Sequence, residues 1–213
     1  MTELNLATIS EKIVTGDLQA LESAIRSALE SGADPAIIMN EGLIPGMARV
    51  GDLFEKKEYF LPEVLYSARA MKAALEILHP LLARSGFESR GKVVLGTVQG
   101  DLHDIGKNVV KITLQGAGFE TFDLGNDVSP EAFVDMMKET GAKVLGMSAL
   151  LTTTRRTMKT TIERLGEEGL RKDVVVLIGG AAVTERYAND IGADGWAKDA
   201  AHAVKRVNEF LGL

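Results

Sequence analysis

The chain has 213 residues, 46% of them apolar and 25% charged, with 30 acidic against 24 basic side chains and a net charge of -6. This is the composition of a folded globular protein whose overall field repels phosphate backbones and anionic membranes. There is no cysteine and there are three histidines, which excludes a disulfide framework, a thiolate metal site, an iron-sulfur cluster and cysteine nucleophilic catalysis, and leaves His, Asp or Glu to bind any metal.

The opening segment, MTELNLATISEK, lacks the basic run and apolar stretch of a secretory signal, and no run approaches the roughly 18 apolar residues of a membrane span. The expectation is a cytoplasmic protein without a membrane partner. Residues 1 to 90 hold 9 Lys/Arg against 13 Asp/Glu and the remainder 15 against 17, so neither part carries the basic excess of a nucleic-acid binder.

From residue 1 to about 88 the apolar residues recur at helical spacing: Leu18, Leu21, Ile25 and Leu29 on one face, and Val64, Leu65, Ala68, Met71, Leu75 and Leu78 on another. Asp17 is placed to cap one helix that stops near Gly32, Asp34-Pro35 to start a second, and Leu61-Pro62-Glu63 a third. Four helices are predicted, near 4–14, 17–31, 35–51 and 62–84, with Pro45-Gly46 kinking or splitting the third and Pro80 ending or bending the fourth. SGFESRG, Ser85 to Gly91, reads as a linker.

After Arg90 the pattern changes to short β-branched runs, Lys92–Val98, Glu120–Leu124, Val144–Ser148 and Val174–Ile178, separated by helix-like stretches long enough for parallel crossovers. Continuous apolar strands such as VVVLIGG are those of a sheet covered on both faces. The prediction is a doubly wound α/β domain over 89–213, with Gly195-Trp196 as a fifth strand, preceded by a helical domain over 1–88.

In an open parallel sheet, ligands bind beyond the carboxyl ends of the strands. The first such loop, Val98-Gln99-Gly100-Asp101-Leu102-His103-Asp104-Ile105-Gly106-Lys107, sets a carboxylate two residues before an imidazole. A metal-binding His commonly donates its second ring N–H to a carboxylate, and Asp101 is spaced for that role; Gly106 permits close approach of a ligand to the backbone. A capping Asp beside a surface His produces the same short pattern. The Ser148 to Thr154 segment reads equally as a helix-capping Ser/Thr cluster, Gly179-Gly180 as a tight turn or a close-approach site, and the loop with Trp196 as ligand contact or core packing. Neither Gly-x-Gly-x-x-Gly nor the phosphate loop Gly-x-x-x-x-Gly-Lys-Ser/Thr follows the first strand.

In combination, Asp101-Leu102-His103-Asp104-Ile105-Gly106, Ser148-Ala149-Leu150 and Gly179-Gly180 form the order Asp-x-His-x-x-Gly, Ser-x-Leu, Gly-Gly, which resembles the cobalamin-binding domain. GLIPGMARVGDLFEKKEYFLPEVLYSARAMKAALEIL is similar to the four-helix cap that precedes this domain in corrinoid methyl carriers and in cobalamin-dependent methionine synthase. The resemblance spans nearly the whole chain. It implies an N-terminal four-helix cap followed by a flavodoxin- or Rossmann-like five-stranded parallel sheet, with cobalamin (methylcobalamin or another corrinoid) as cofactor and its cobalt as the metal.

By position, the resemblance makes His103 the lower axial cobalt ligand in place of the cofactor's own base, Asp101 its carboxylate partner and Thr154 the third member of the triad. Gly100, Leu102, Asp104, Ile105, Gly106, Ser148, Leu150, Thr152, Gly179, Gly180 and Trp196 become cofactor-binding positions, and Phe54 and Leu61, with Val64 close by, an apolar lid. Trp196 stands where relatives often have Tyr and Lys198 where Pro is common.

The function so implied is a methyl carrier cycling between Co(I) and methyl-Co(III), with proton uptake at His103 when it leaves cobalt. Its partners would be a substrate-specific corrinoid methyltransferase (methylamine, betaine, methanol or aryl methyl ether), a second methyltransferase using tetrahydrofolate or a thiol such as coenzyme M, and a reductive activase. That makes the chain a cofactor-carrying subunit of a multi-component enzyme. Two alternatives are a cobalamin-sensing regulator, which carries a basic helix-turn-helix for which the helix at 4–14 leaves no room, and the small subunit of an adenosylcobalamin mutase, which normally lacks the helical cap. His79 and His202, on helices, read as structural or solvated.

Overall fold

The computed structural model describes the backbone of residues 6–85 and 89–213, with side chains to residue 82 and from residue 89 onward. Residues 86–88, in the predicted linker, and residues 4 and 5 of the first predicted helix lie outside the described residues. The chain forms two compact units, one built from the first five helices and the other from Arg90–Leu114 and Phe119–Leu213.

The helical unit comprises α1 (Leu6–Thr15), α2 (Leu18–Glu30), a single turn α3 (Pro35–Ile37), a π-helical segment (Ile38–Leu43), α4 (Ile44–Glu55) and α5 (Leu61–Ser85). Asp17 caps α2 by accepting from the Ala20 amide, and Asp34 caps α3 by accepting from the Ala36 amide, with Pro35 in the first turn. The third predicted helix is split before Pro45. The Ile44 amide reaches back five residues to the Met39 carbonyl, a π-type bond that resets the register ahead of a residue with no N–H to give.

Helix α5 runs through Pro80 without ending there. Leu78 on one side and Leu82 on the other are both buried, and packing on both flanks offsets the hydrogen bond that proline removes. Leu21, Ile25, Val64, Ala68, Met71 and Leu78 form part of the core as their spacing predicts, whereas Leu65 is exposed.

The second unit alternates β1 (Lys92–Thr97), α6 (Ile105–Gly116), β2 (Glu120–Asp123), α7 (Pro130–Thr140), β3 (Val144–Ser148), α8 (Arg156–Glu167), β4 (Val175–Gly179), α9 (Glu185–Ile191), β5 (Gly195–Ala197) and α10 (Ala200–Leu211). All the strands pair in parallel, in the order β2-β1-β3-β4-β5. Val94, Leu145, Val176 and Ile178 are fully or almost fully buried, and Phe133, Met158 and Leu165 from α7 and α8 pack in the same core. The chain runs from β1 to the β2 side and then crosses back to β3, so the switch point, where ligands of such sheets bind, lies between the carboxyl ends of β1 and β3. Among the described residues no helix is long and apolar enough to cross a membrane.

Candidate functional site: a carboxylate-oriented histidine at the switch point

The loop after β1 is built around Asp101. Gly100 takes a left-handed conformation (φ +83) and the Asp101 amide donates to the Val98 carbonyl at 3.1 Å, turning the Asp101 side chain inward, where it is completely buried. One carboxylate oxygen, Oδ1, accepts from the His103 backbone amide at 3.1 Å and lies 2.7 Å from His103 Nδ1. The Asp-x-His spacing is therefore an Asx turn that closes on its own histidine. The hydroxyl of buried Thr97 donates to the His103 carbonyl at 3.0 Å, so the histidine is held at its amide, its carbonyl and its ring.

The other oxygen, Oδ2, belongs to the loop after β3. It accepts from the Leu150 amide at 2.8 Å, the Leu151 amide at 3.3 Å and the Thr154 hydroxyl at 2.7 Å. Burial pushes the Asp101 carboxyl up. The hydrogen bonds from the Thr154 hydroxyl, the His103 ring and the amides of Leu150 and His103 outweigh that and hold it well below the usual carboxylate range. Asp101 is a fixed anion, so Nδ1 carries the ring proton. Nε2 has no hydrogen-bond partner among the described residues, and the His103 side chain is 53% exposed.

The structure thus brings Asp101, His103 and Thr154 into one hydrogen-bonded cluster, joined by the backbone of Leu150. Leu102, Ile105, Leu150 and Leu151, neighbours of the cluster along the two loops, are exposed apolar side chains. Exposed apolar side chains on the loops after two neighbouring strands present a surface that an apolar ligand can cover. A side chain added at Gly106 would meet nothing within 4 Å, so the packing of the chain itself does not demand glycine there. Gly180, at φ +108, is demanded: a Cβ would stand 2.1 Å from the Ala149 carbonyl oxygen, and at Gly179 a Cβ would stand 3.0 Å from the Ala197 carbonyl.

Other predicted positions lie outside the cluster. Ser148 closes β3, its carbonyl accepting from the Val98 amide at 3.0 Å, and Asp104 accepts the Asn108 amide at the start of α6. Thr152 is exposed on the turn before α8. The Trp196 indole donates to the Val183 carbonyl at 3.1 Å, and the ring packs on the core and edge-on to His202. In the helical unit Phe54 is half-buried and Leu61 exposed, while Val64 is buried in the core. His79 is exposed, and His202 Nδ1 accepts from the Lys198 amide.

Sequence reasoning missed an ion cluster beside the loop. Lys107, almost wholly buried, donates to Asp123 at 2.5 Å, and Lys111 donates to the other oxygen of Asp123 at 2.7 Å. Burial pushes the Asp123 carboxyl up, and the two lysines more than reverse it, leaving it lowered. The available signal was a lysine one heptad before Leu114, on a helix face that otherwise meets the core.

The fixed carboxylate and the imidazole whose Nε2 it leaves as acceptor form a site at which one histidine can serve as a metal ligand. Among the described residues no three His, Asp or Glu side chains converge as a metal site. Comparison with known proteins gives the ligand. A family model described as the B12 binding domain matches residues 91–205, and a second with the same description matches residues 6–79. The chain belongs to this family of corrinoid proteins, and its cofactor is a cobalamin-type corrinoid.

It is 42% identical over 210 residues to a corrinoid protein of Desulfitobacterium hafniense, covering 97% of each chain. It is 44% identical over 207 residues to dimethylamine corrinoid protein 1 of Methanosarcina acetivorans, again covering 97% of each. Among solved structures it is similar to the methanol:cobalamin methyltransferase complex MtaBC from Methanosarcina barkeri, with a TM-score of 0.86 and 30% identity over 99% of this chain and 80% of that one. The residues fit the cofactor: an imidazole nitrogen without a hydrogen-bond partner among the described residues, a carboxylate fixing the other nitrogen as donor, and exposed apolar side chains on the same two loops.

Proposed function

We propose that the chain is the methyl-carrying subunit of a multi-component methyltransferase, with His103 as the lower axial ligand of its corrinoid. The observation that carries this reading is the buried Asp101 carboxylate, 2.7 Å from His103 Nδ1, which commits the Nε2 lone pair to an external acceptor. The bound corrinoid supplies a cobalt centre that takes a methyl group from one partner and yields it to another.

The residues of the chain prepare that centre. Asp101 fixes the tautomer and plane of the His103 ring and gives it a counter-charge when Nε2 takes a proton instead of binding metal. Thr154 and the Leu150 and Leu151 amides hold Asp101 in place. Leu102, Ile105, Leu150 and Leu151 offer exposed apolar side chains that a bound corrinoid would cover, while Gly106, Ser148, Gly179 and Gly180 stand at or just after the strand ends, where they would line the cofactor's tail.

The donor is a methylated amine presented by a dedicated methyltransferase, a reading supported by similarity to the dimethylamine corrinoid protein; methanol is the alternative, favoured by the likeness to MtaBC. The reading extends to a cytoplasmic location and to two further partners, a second methyltransferase and a reductive activase. The test is to incubate the corrinoid-loaded chain with a methylamine:corrinoid methyltransferase and isotopically labelled dimethylamine. Label retained by the loaded chain, and by no His103→Ala variant, is the expected result; no retention with any methylated amine or with methanol contradicts the carrier role.

A further inference from the structure

The loop between β2 and α7 contains a non-glycine residue in the left-handed region. Asp127 has φ +54, a conformation that costs of the order of 1 kcal/mol for an ordinary residue and is most accessible to Asn and Asp. Asp127 is exposed, so burial of its side chain does not hold it there. Gly125, two residues earlier, already supplies a left-handed turn at φ +82, and glycine at 127 would adopt the same backbone without strain. Its carboxylate is the part that glycine would not supply.

That carboxylate accepts from the Gly100 amide at 2.7 Å, while the Asp127 amide donates to the Asp101 carbonyl at 3.0 Å. One residue thus grips the Gly100-Asp101 dipeptide at both its ends. The neighbouring contacts run the same way: the Thr97 amide donates to the Gly125 carbonyl, the Val128 amide to the Thr97 carbonyl, and the Asn126 side chain to the Leu102 carbonyl. Gly100 is itself left-handed, and its amide direction sets where the Asp101 side chain enters the core.

We propose that Asp127 is a positioning residue for the ligand loop: its two-point clamp on Gly100-Asp101 fixes the carboxylate that in turn orients His103. Asp127 acts through Asp101: its hydrogen bonds go to the Gly100 amide and the Asp101 carbonyl, not to the imidazole. The functional half of the proposal rests on the assignment of His103 as axial ligand; the clamp itself does not.

Two variants of the full chain separate the possibilities. Asp127→Gly relieves the backbone strain and removes the acceptor, whereas Asp127→Asn keeps an acceptor oxygen and tolerates the same φ. The first readout is amide hydrogen exchange at Gly100 without corrinoid. The second is the absorption spectrum after loading with hydroxocobalamin, in which the share of His-coordinated corrinoid is measured against His103→Ala. In Asp127→Gly, Gly100 should exchange about tenfold faster or more, with the amides of β3 and β4 unchanged, and the coordinated share should fall severalfold; Asp127→Asn should recover most of both. Gly100 exchange within twofold of the parent, faster exchange spread evenly over the sheet, or an Asn variant no better than the Gly variant would each overturn the proposal. A His103→Ala spectrum identical to the parent overturns the ligand assignment and the functional half with it, while Gly100 exchange still decides the clamp.

Discussion

Asp101 and His103 are joined twice, through the backbone amide at 3.1 Å and the ring Nδ1 at 2.7 Å, both to the same carboxylate oxygen. With two hydrogen bonds to one oxygen atom, the ring cannot rotate about its side-chain torsions without losing the carboxylate, and the peptide cannot flip without losing it too. A ligand nitrogen presented in this way has little orientational freedom left to lose on binding a metal.

Asp101→Asn should damage the site more than its near-identical shape suggests. Oδ2 faces three donors, the Leu150 and Leu151 amides and the Thr154 hydroxyl. An amide group must either oppose donors with its own N–H or turn and lose the acceptor for His103. A loss of about 2 kcal/mol or more in urea unfolding, with His coordination weakened roughly 10- to 100-fold in corrinoid titrations, is the expected result. Unchanged stability and coordination would show that the carboxylate charge is dispensable.

Gly180→Ala tests the strand-end packing independently of the imidazole. The new methyl group would collide with the Ala149 carbonyl at 2.1 Å and take an L residue to φ +108. Ala149 lies between Ser148 and Leu150, so relief of the clash must shift the segment that donates to Asp101. Destabilisation of about 3 kcal/mol is expected, measured by chemical denaturation; a variant within about 0.5 kcal/mol of the parent, the usual scatter for surface changes, would contradict the close approach.

Acid sensitivity follows from Asp123. Its carboxyl is lowered in the folded protein relative to an unfolded value of about 3.9, so the unfolded chain binds the proton more readily. The stabilisation is complete above the unfolded value and is lost as pH falls through the folded one. Urea midpoints should hold near neutrality and decline below about pH 4 to 5. Asp123→Asn should start lower, because it leaves the buried Lys107 charge with its Asn108 hydrogen bond but without its counter-ion, and should show a shallower acid decline; parallel pH profiles for the two proteins would contradict the assignment.

Much of this was legible in the chain because short β-branched runs and helical spacing report burial directly. The strands from Lys92, Glu120, Val144 and Val175 and the extra strand at Gly195–Ala197 fall where the apolar runs place them. Helix α5 was harder to bound, since proline is a local signal and the buried Leu78 and Leu82 that override it at Pro80 are tertiary. The same limit explains the site. Asp101 and His103 are two residues apart and form one turn, so their relation was readable. Thr97 holds the His103 carbonyl from the end of β1 itself, while the Leu150 and Leu151 amides and Asp127 reach Asp101 from the loops after β3 and β2; backbone groups and short polar side chains of this kind leave no spacing pattern. Trp196 could be read either way, and the indole bond to Val183 shows how it is satisfied.

The most direct test of the central claim is the absorption spectrum of the full chain loaded with hydroxocobalamin, parent against His103→Ala. If His103 is the axial ligand, the parent shows the histidine-coordinated spectrum and the variant, in which the corrinoid is still retained by the rest of the crevice, shows the spectrum of a corrinoid without a lower nitrogen ligand. Identical spectra from the two loaded proteins would contradict it.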